Sequence, residues 1–173
     1  AVVFSGSAAV AGGGGTGLAA SGSGVWAENQ IGTRVRAGSL TLQGLGSRPS
    51  LLAAQDIAVL AANRSRITAF AGAASLAAAV GGGTGAAVSV GVSLARNVID
   101  GEITAELQGA RVTQARTLTV RASSDADIQV FSLAASIAAG FGGGTGVGVS
   151  GAGASAMNII LADTRAALAD SEV

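Results

Sequence analysis

The residues that most invite a chemical reading are a pentapeptide written three times. Gly13, Gly14, Gly15, Thr16 and Gly17 recur as Gly81, Gly82, Gly83, Thr84 and Gly85, and again as Gly142, Gly143, Gly144, Thr145 and Gly146. A glycine-rich loop can cradle phosphate with its backbone N–H groups, but that chemistry needs a Lys and a helix opening at the loop. The chain contains no Lys, and no helical periodicity follows the motif, so it reads as a structural turn. Acidic pairs come next. Asp125-Ala126-Asp127 and Asp100-Gly101-Glu102 offer oxygen ligands of the kind calcium takes, without the spacing of a helix–loop–helix site or a nonapeptide calcium repeat. They read as solvated turns. No cofactor is expected, with calcium as the alternative. Glycoside hydrolysis needs a pair of carboxylates, and no carboxylate position recurs in all three copies of the repeat. With no His and no Cys, the usual zinc sites and Ser–His or Cys nucleophile systems are excluded. The chain does not read as an enzyme.

The pentapeptide belongs to a longer period. Thirteen residues after each Thr stands an Asn, at Asn29, Asn97 and Asn158, and two residues later an Ile. A Phe precedes each pentapeptide, at Phe4, Phe70 and Phe131, and marks the same place in each copy. A fixed long period signals units that stack. Three repeats follow: 1–66, 67–127 and a partial one at 128–173, with a spacing of 61 residues between the second and third. The first is longer, through an insertion near 45–50 with the only Pro, which reads as a surface loop. The whole reads as a window on a longer array. The recurrent Asn either forms a hydrogen-bonded ladder from repeat to repeat or simply ends a strand and satisfies local backbone groups.

Charge falls in blocks. Residues 1–27, 67–95 and 128–162 carry none, and each block has a pentapeptide inside it. A transmembrane helix is set aside, because each Gly in a helix interior costs about 1 kcal/mol and the periodicity is two. After Thr84 the odd positions are Gly85, Ala87, Ser89, Gly91, Ser93, Ala95 and Asn97, and the even ones are mostly Val or Leu. Alternate side chains on a strand point to opposite faces. Each repeat therefore has two long strands around a turn, with one face of tiny residues and one of large apolar residues. Neither is polar, so both are expected to be covered. The tiny faces permit close sheet packing and are expected to serve lateral contacts between copies. Leu at Gly91 and Ser93 is expected to wedge that face apart; the same change at Gly101 or Gln108 is expected to matter less. Trp26 has no counterpart in the other repeats and reads as a packing variant.

The charged blocks alternate apolar and polar residues, as half-exposed strands do, with turns at Asp100-Gly101 and Gln108-Gly109. The expected fold is all-β: a repeat β-solenoid or stacked β-prism with long paired strands joined by GGGTG turns.

The runs at 75–107 (SLAAAVGGGTGAAVSVGVSLARNVIDGEITAEL), 21–37 (SGSGVWAENQIGTRVRA) and 146–173 (GVGVSGAGASAMNIILADTRAALADSEV) resemble the tandem Ala/Gly/Val-rich repeats of giant, filamentous-adhesin-like bacterial surface or secreted proteins. The resemblance implies export to the cell surface or beyond, an extended β architecture and a structural or adhesive role. It implies further repeats or copies of the chain as partner, with the cell surface or matrix as another, and no catalytic residues. Nucleic acid is not expected, because ten Arg balance ten acidic residues and no basic stripe is present. Two alternatives stand beside this reading: a membrane-inserting β-hairpin or pore-type protein, and a carbohydrate-associated β-solenoid.

Overall fold

A computed structural model describes residues 1–38, 50–52 and 55–173. The Pro-containing insertion, apart from Ser50, lies outside the described residues. All regular structure among the described residues is strand: β1 (Val2–Gly13), β2 (Thr16–Gly38), β3 (Ser50–Leu52), β4 (Asp56–Gly81), β5 (Thr84–Gln108), β6 (Arg111–Thr113), β7 (Thr117–Gly142) and β8 (Thr145–Ala169). The fold is all-β and solenoid-like, as the period-two pattern requires.

Three sheets form, in the orders β1-β4-β7, β2-β5-β8 and β3-β6. The two strands that meet at a pentapeptide thus belong to different sheets. Each hydrogen-bonds sideways to its equivalent in the next repeat, in parallel, while across the interior it faces both its own partner and that of the next repeat, as Gly91 on β5 does Ala135 on β7. The reason lies in the side chains. A strand whose two faces are both apolar gains little from a flat hairpin, but an arch brings two tiny faces together. Ser7 and Ser21 meet there with their Oγ atoms 2.8 Å apart, and Ser75 and Ser89 at 2.7 Å.

The register between β1 and β4 runs without a break from Val2 opposite Phe70 to Gly13 opposite Gly81. This corrects the alignment made on the phenylalanines. Phe4 lies opposite Gly72, two residues further along than the equivalent of Phe70. A two-residue shift keeps a side chain on the same face, so the ring still reaches Phe70 diagonally. The Phe4 and Phe70 rings stack with centroids 5.6 Å apart, and Phe70 and Phe131 at 5.1 Å. A side chain at Gly72 would meet the Phe4 ring at 2.9 Å, so that glycine makes room for the displaced ring.

By internal contacts the chain divides into two compact units that cut across the repeats. The first is Ala1–Asn29, Ile67–Asn97 and Ile128–Asn158; the second is Gln30–Arg66, Val98–Asp127 and Ile159–Val173. They are built on opposite plans. In the first, the interior is tiny: Ala71, Ala77 and Ala79 are fully buried with Ser89 and Ser93. Its large residues face outward; Val10, Leu18, Leu76, Val90, Phe131 and Ile137 are all exposed. In the second, the interior is conventional. Ile103, Ala105 and Ala61 gather Val35, Val59 and Val120, and Leu107 and Val112 gather Ile57 and Leu118.

Three expectations are corrected here. The tiny faces are not lateral surfaces: within the arches they are the core, and the large apolar faces are left uncovered. Trp26 is 61% exposed on the outward face of β2, not packed inside. Asp100-Gly101 is not a turn, because β5 runs straight through it. Pairing with β2 on one side and β8 on the other outweighs the local turn preference of that dipeptide. Gly101 is buried, with the Ile103 Cδ1 3.3 Å from where its Cβ would stand. At Gln108-Gly109 the strand does end, with Gly109 in the left-handed region at φ 62°, a conformation glycine adopts at little cost.

Candidate functional site

The features that could act are all products of stacking. The pentapeptide turns lie one upon the next and hydrogen-bond between repeats rather than within them. Gly82 N–H donates to the Gly13 carbonyl at 3.0 Å, and the Gly15 carbonyl accepts from Gly83 N–H at 2.8 Å and Thr84 N–H at 3.0 Å. The third turn repeats this on the second: the Gly83 carbonyl accepts from Gly144 and Thr145, and that of Gly81 from Gly143. In the second and third turns these donors are spent on neighbouring carbonyls and form no cradle for phosphate.

Close approach, not unusual backbone angles, explains the glycines. None of the fifteen pentapeptide residues is among those with positive φ. A side chain at Gly82 would collide with the Gly14 carbonyl, one at Gly143 with that of Gly82, and those at Gly17 and Gly85 with the carbonyls of Val80 and Phe141. Gly13, Gly81 and Gly142 would each strike the backbone of the Thr three residues on, while Gly146 sits against Gly140. Gly14 and Gly15 meet nothing within 4 Å, because no turn lies beneath them in the chain. Gly82→Ala is therefore expected to cost about 1–3 kcal/mol through overpacking, whereas Gly14→Ala leaves the melting temperature of the single chain unchanged. Thermal unfolding followed by circular dichroism checks both.

Asn29, Asn97 and Asn158 form a ladder. Asn29 Nδ2 donates to Asn97 Oδ1 at 2.8 Å, and Asn97 Nδ2 donates to Asn158 Oδ1 at 3.0 Å. Asn97 is fully buried. Each rung satisfies an amide that burial would otherwise penalise. Ser93 and Ser132 add a further hydroxyl pair at 3.0 Å.

The second unit carries its charges outward in pairs that cross from one repeat to the next. Glu102 takes Arg34 at 2.7 Å and Arg36 at 2.8 Å; Asp56 takes Arg116 at 2.9 Å, and Asp127 takes Arg66 at 3.1 Å. In the first unit Arg96 pairs with Glu28. Hydrogen bonds from Arg36 and then Arg34 hold the Glu102 carboxyl below its ordinary range, and Arg116 and then Thr117 do the same for Asp56. Because folding lowers these values, the stabilisation is present above the ordinary carboxylate pKa and is lost as pH falls through the lowered folded value. Melting temperature is thus expected to drop below about pH 4, with a shallower acid limb in Glu102→Gln. The pairs are solvent-exposed, so each effect is small and weakens with salt.

One member of each acidic pair considered for calcium, Glu102 and Asp127, faces arginine. Among the described residues no three His, Cys, Asp or Glu side chains gather as a metal site, and no helix is long and apolar enough to cross a membrane, which does not bear on strands. Comparison with protein-family models, with curated proteins and with solved structures finds no match to this chain.

The feature not read from the sequence is the exposed apolar face. In the first unit, sheet β1-β4-β7 turns Phe4, Val10, Leu76, Val80 and Phe141 outward, and sheet β2-β5-β8 turns out Leu18, Trp26, Val88, Val90 and Val149. The face is corrugated. Gly6, Ala74 and Ala135 form a trough of about 460 Å³ across three strands, bordered by Leu76 and Ile137.

Proposed function

We propose that the chain is a structural repeat segment of an extracellular bacterial fibre or giant surface adhesin, acting by stacking and self-association rather than by turnover. The observation that carries this is the state of the sheet edges. In each long sheet the middle strand, β4 or β5, is paired on both sides, and the outer strands β1, β2, β7 and β8 on one side only. Unpaired edges invite pairing with another strand. The small-residue face of β8 also lies open, from Gly146 to Ala156, where the same face of β5 is covered. Another repeat or copy, stacked in the same parallel register, satisfies both the edges and this face.

Gly14 supplies the test. The purified chain is expected to form rods or filaments by negative-stain electron microscopy and to sediment as a concentration-dependent polymer. In Gly14→Ala the methyl group projects where the turn of an adjoining copy belongs, as a side chain at Gly82 projects at Gly14. This variant is expected to fold as the parent does and to fail to elongate. A monodisperse monomer at tens of micromolar sinks the reading. Unimpaired polymers of Gly14→Ala show that copies do not stack turn on turn.

A further inference from the structure

The outward faces of the first unit carry large apolar side chains on both sheets, and soluble proteins rarely leave such patches bare. A second copy laid on one sheet leaves the other exposed. The faces are also corrugated, with the Gly6–Ala74–Ala135 trough beside the Leu76 and Ile137 ridge, and fluid hydrocarbon fills such relief without a matching partner.

Three further observations favour lipid. The uncharged stretch of β7 spans the length of a bilayer core. Phe131 and Phe141 both face outward on β7, ten residues apart. At about 3.3 Å per residue this is about 33 Å, against a hydrocarbon thickness of about 30 Å. On β7 and β2 the charges resume close by, with Asp127 four residues before Phe131 and Glu28 two residues after Trp26, while on β8 the uncharged stretch runs on to Ala162. Finally, backbone hydrogen bonding is completed along the middle strands β4 and β5 and where one turn stacks on the next, and hydrocarbon demands such completion of any spanning segment.

We infer that the uncharged part of the stack is a lipid-inserting slab that enters a bilayer turn first. The GGGTG turns emerge in the far headgroup region, and the charged stretches of the same strands stay in water. The interior is filled by Ala, Ser and Gly side chains, with Ala71, Ala77 and Ala79 at 0% exposure, so the slab has no lumen and makes no pore. The inference rests on the stacking reading in one respect: the unpaired edges of β1, β2, β7 and β8 need further copies or repeats before hydrocarbon can surround them.

Trp26, the only Trp, is a built-in probe. The 173-residue chain is mixed with phosphatidylcholine vesicles brominated at shallow or at deep acyl positions, while rods are scored separately by electron microscopy. The chain is expected to float with the vesicles, Trp26 emission to shift to the blue, and shallow bromines to quench it more than deep ones. In a Trp26→Phe/Val90→Trp variant that order reverses. Val90 also faces outward on β5, four residues closer to the turn than Leu94, the counterpart of Trp26. Val90→Arg is expected to lower the floated fraction about tenfold or more, since a charge on the lipid face is most costly at mid-depth. Thr119→Arg, on an exposed position of the charged stretch, leaves it unchanged. Rods without flotation or quenching overturn insertion and leave stacking intact. Equal, shallow quenching of both Trp positions means adsorption on the surface and overturns spanning. A blue shift that grows with protein concentration in buffer and ignores lipid assigns the face to a second copy, and also overturns it.

Discussion

Replacing Gly91 and Ser93 together by Leu is expected to remove most of the stability of the first unit. Both sit on the inward face of β5. A Cβ at Gly91 would stand 2.7 Å from the Ala135 carbonyl oxygen, which is backbone and cannot swing away. Ser93 is fully buried, its hydroxyl 3.0 Å from that of Ser132. Each Leu brings four side-chain carbons into an interior filled to contact by Ala, Ser and Gly. Overpacking costs about 1–3 kcal/mol per site, and the lost hydroxyl pair about 1 kcal/mol more. The sum, about 3–7 kcal/mol, compares with a total of about 5–15 kcal/mol for a typical domain, and corresponds to a fall in melting temperature of about 10–25 °C. Val92→Leu is the control: Val92 lies between the two but points outward, and a surface substitution there stays within about 0.5 kcal/mol. If the double variant melts with the parent, the inter-sheet space is not closed and the arch packing is wrong. Gly101 is not the neutral control that a turn position would be, because it is buried in β5 beside Ile103. Gln108, exposed at the strand end, remains one.

Much of this architecture is legible in the residues. Alternation of Gly, Ala and Ser with Val and Leu gives strands, and the recurrence of Thr84 and Asn97 at Thr145 and Asn158 gives the stacking register. The Phe spacing misled by two residues, because a shift of two preserves the face and so leaves no trace in the alternation. Only the uninterrupted pairing of Val2 to Gly13 with Phe70 to Gly81 reveals it.

The direction of the faces differs from expectation too, and the sequence holds the signal. Large apolar residues ordinarily mark the core, yet here they are outside. Followed without interruption along β5, the positions shared by Val88, Val90 and Val92 continue as Arg96, Asp100, Glu102 and Glu106. Those shared by Ala87, Ser89 and Gly91 continue as Asn97, Ile99, Ile103 and Leu107. Charges must face water, so the first set faces out, with Val98 alone buried in its row, and the second set faces in. Reading Asp100-Gly101 as a turn breaks the strand where the two patterns join, and the inference is lost. Ladder pairing from both neighbours keeps the strand straight, and that information is not local to the dipeptide.

Asn97→Leu is the second change with a large expected effect. It removes the middle rung of the ladder and strands two amide groups at once: Asn29 Nδ2 loses its acceptor and Asn158 Oδ1 its donor. Asn29 is half-buried, and an unpaired buried polar group costs about 1–3 kcal/mol, whereas the exposed Asn158 turns to water. A loss of about 1–3 kcal/mol is therefore expected by denaturant unfolding. Replacing all three Asn by Leu is expected to cost less than three times the single change, because no amide is then left without a partner. Asn97→Asp probes the same rung by sign. An ionised carboxylate can accept from Asn29 but faces the Asn158 oxygen, another acceptor, in a desolvated site. Both effects raise its folded pKa above the unfolded value of about 3.9. A protonated Asp can donate to Asn158 and accept from Asn29. Its stability relative to the parent is therefore fullest below about pH 4 and declines as pH rises through the raised folded value. This is opposite in direction to the acid weakening of the parent, where Glu102 and Asp56 lose their arginine partners. A stability difference between Asn97→Asp and the parent that does not change between pH 3.5 and 7.5 would show that Asn97 is hydrated rather than held in a closed ladder.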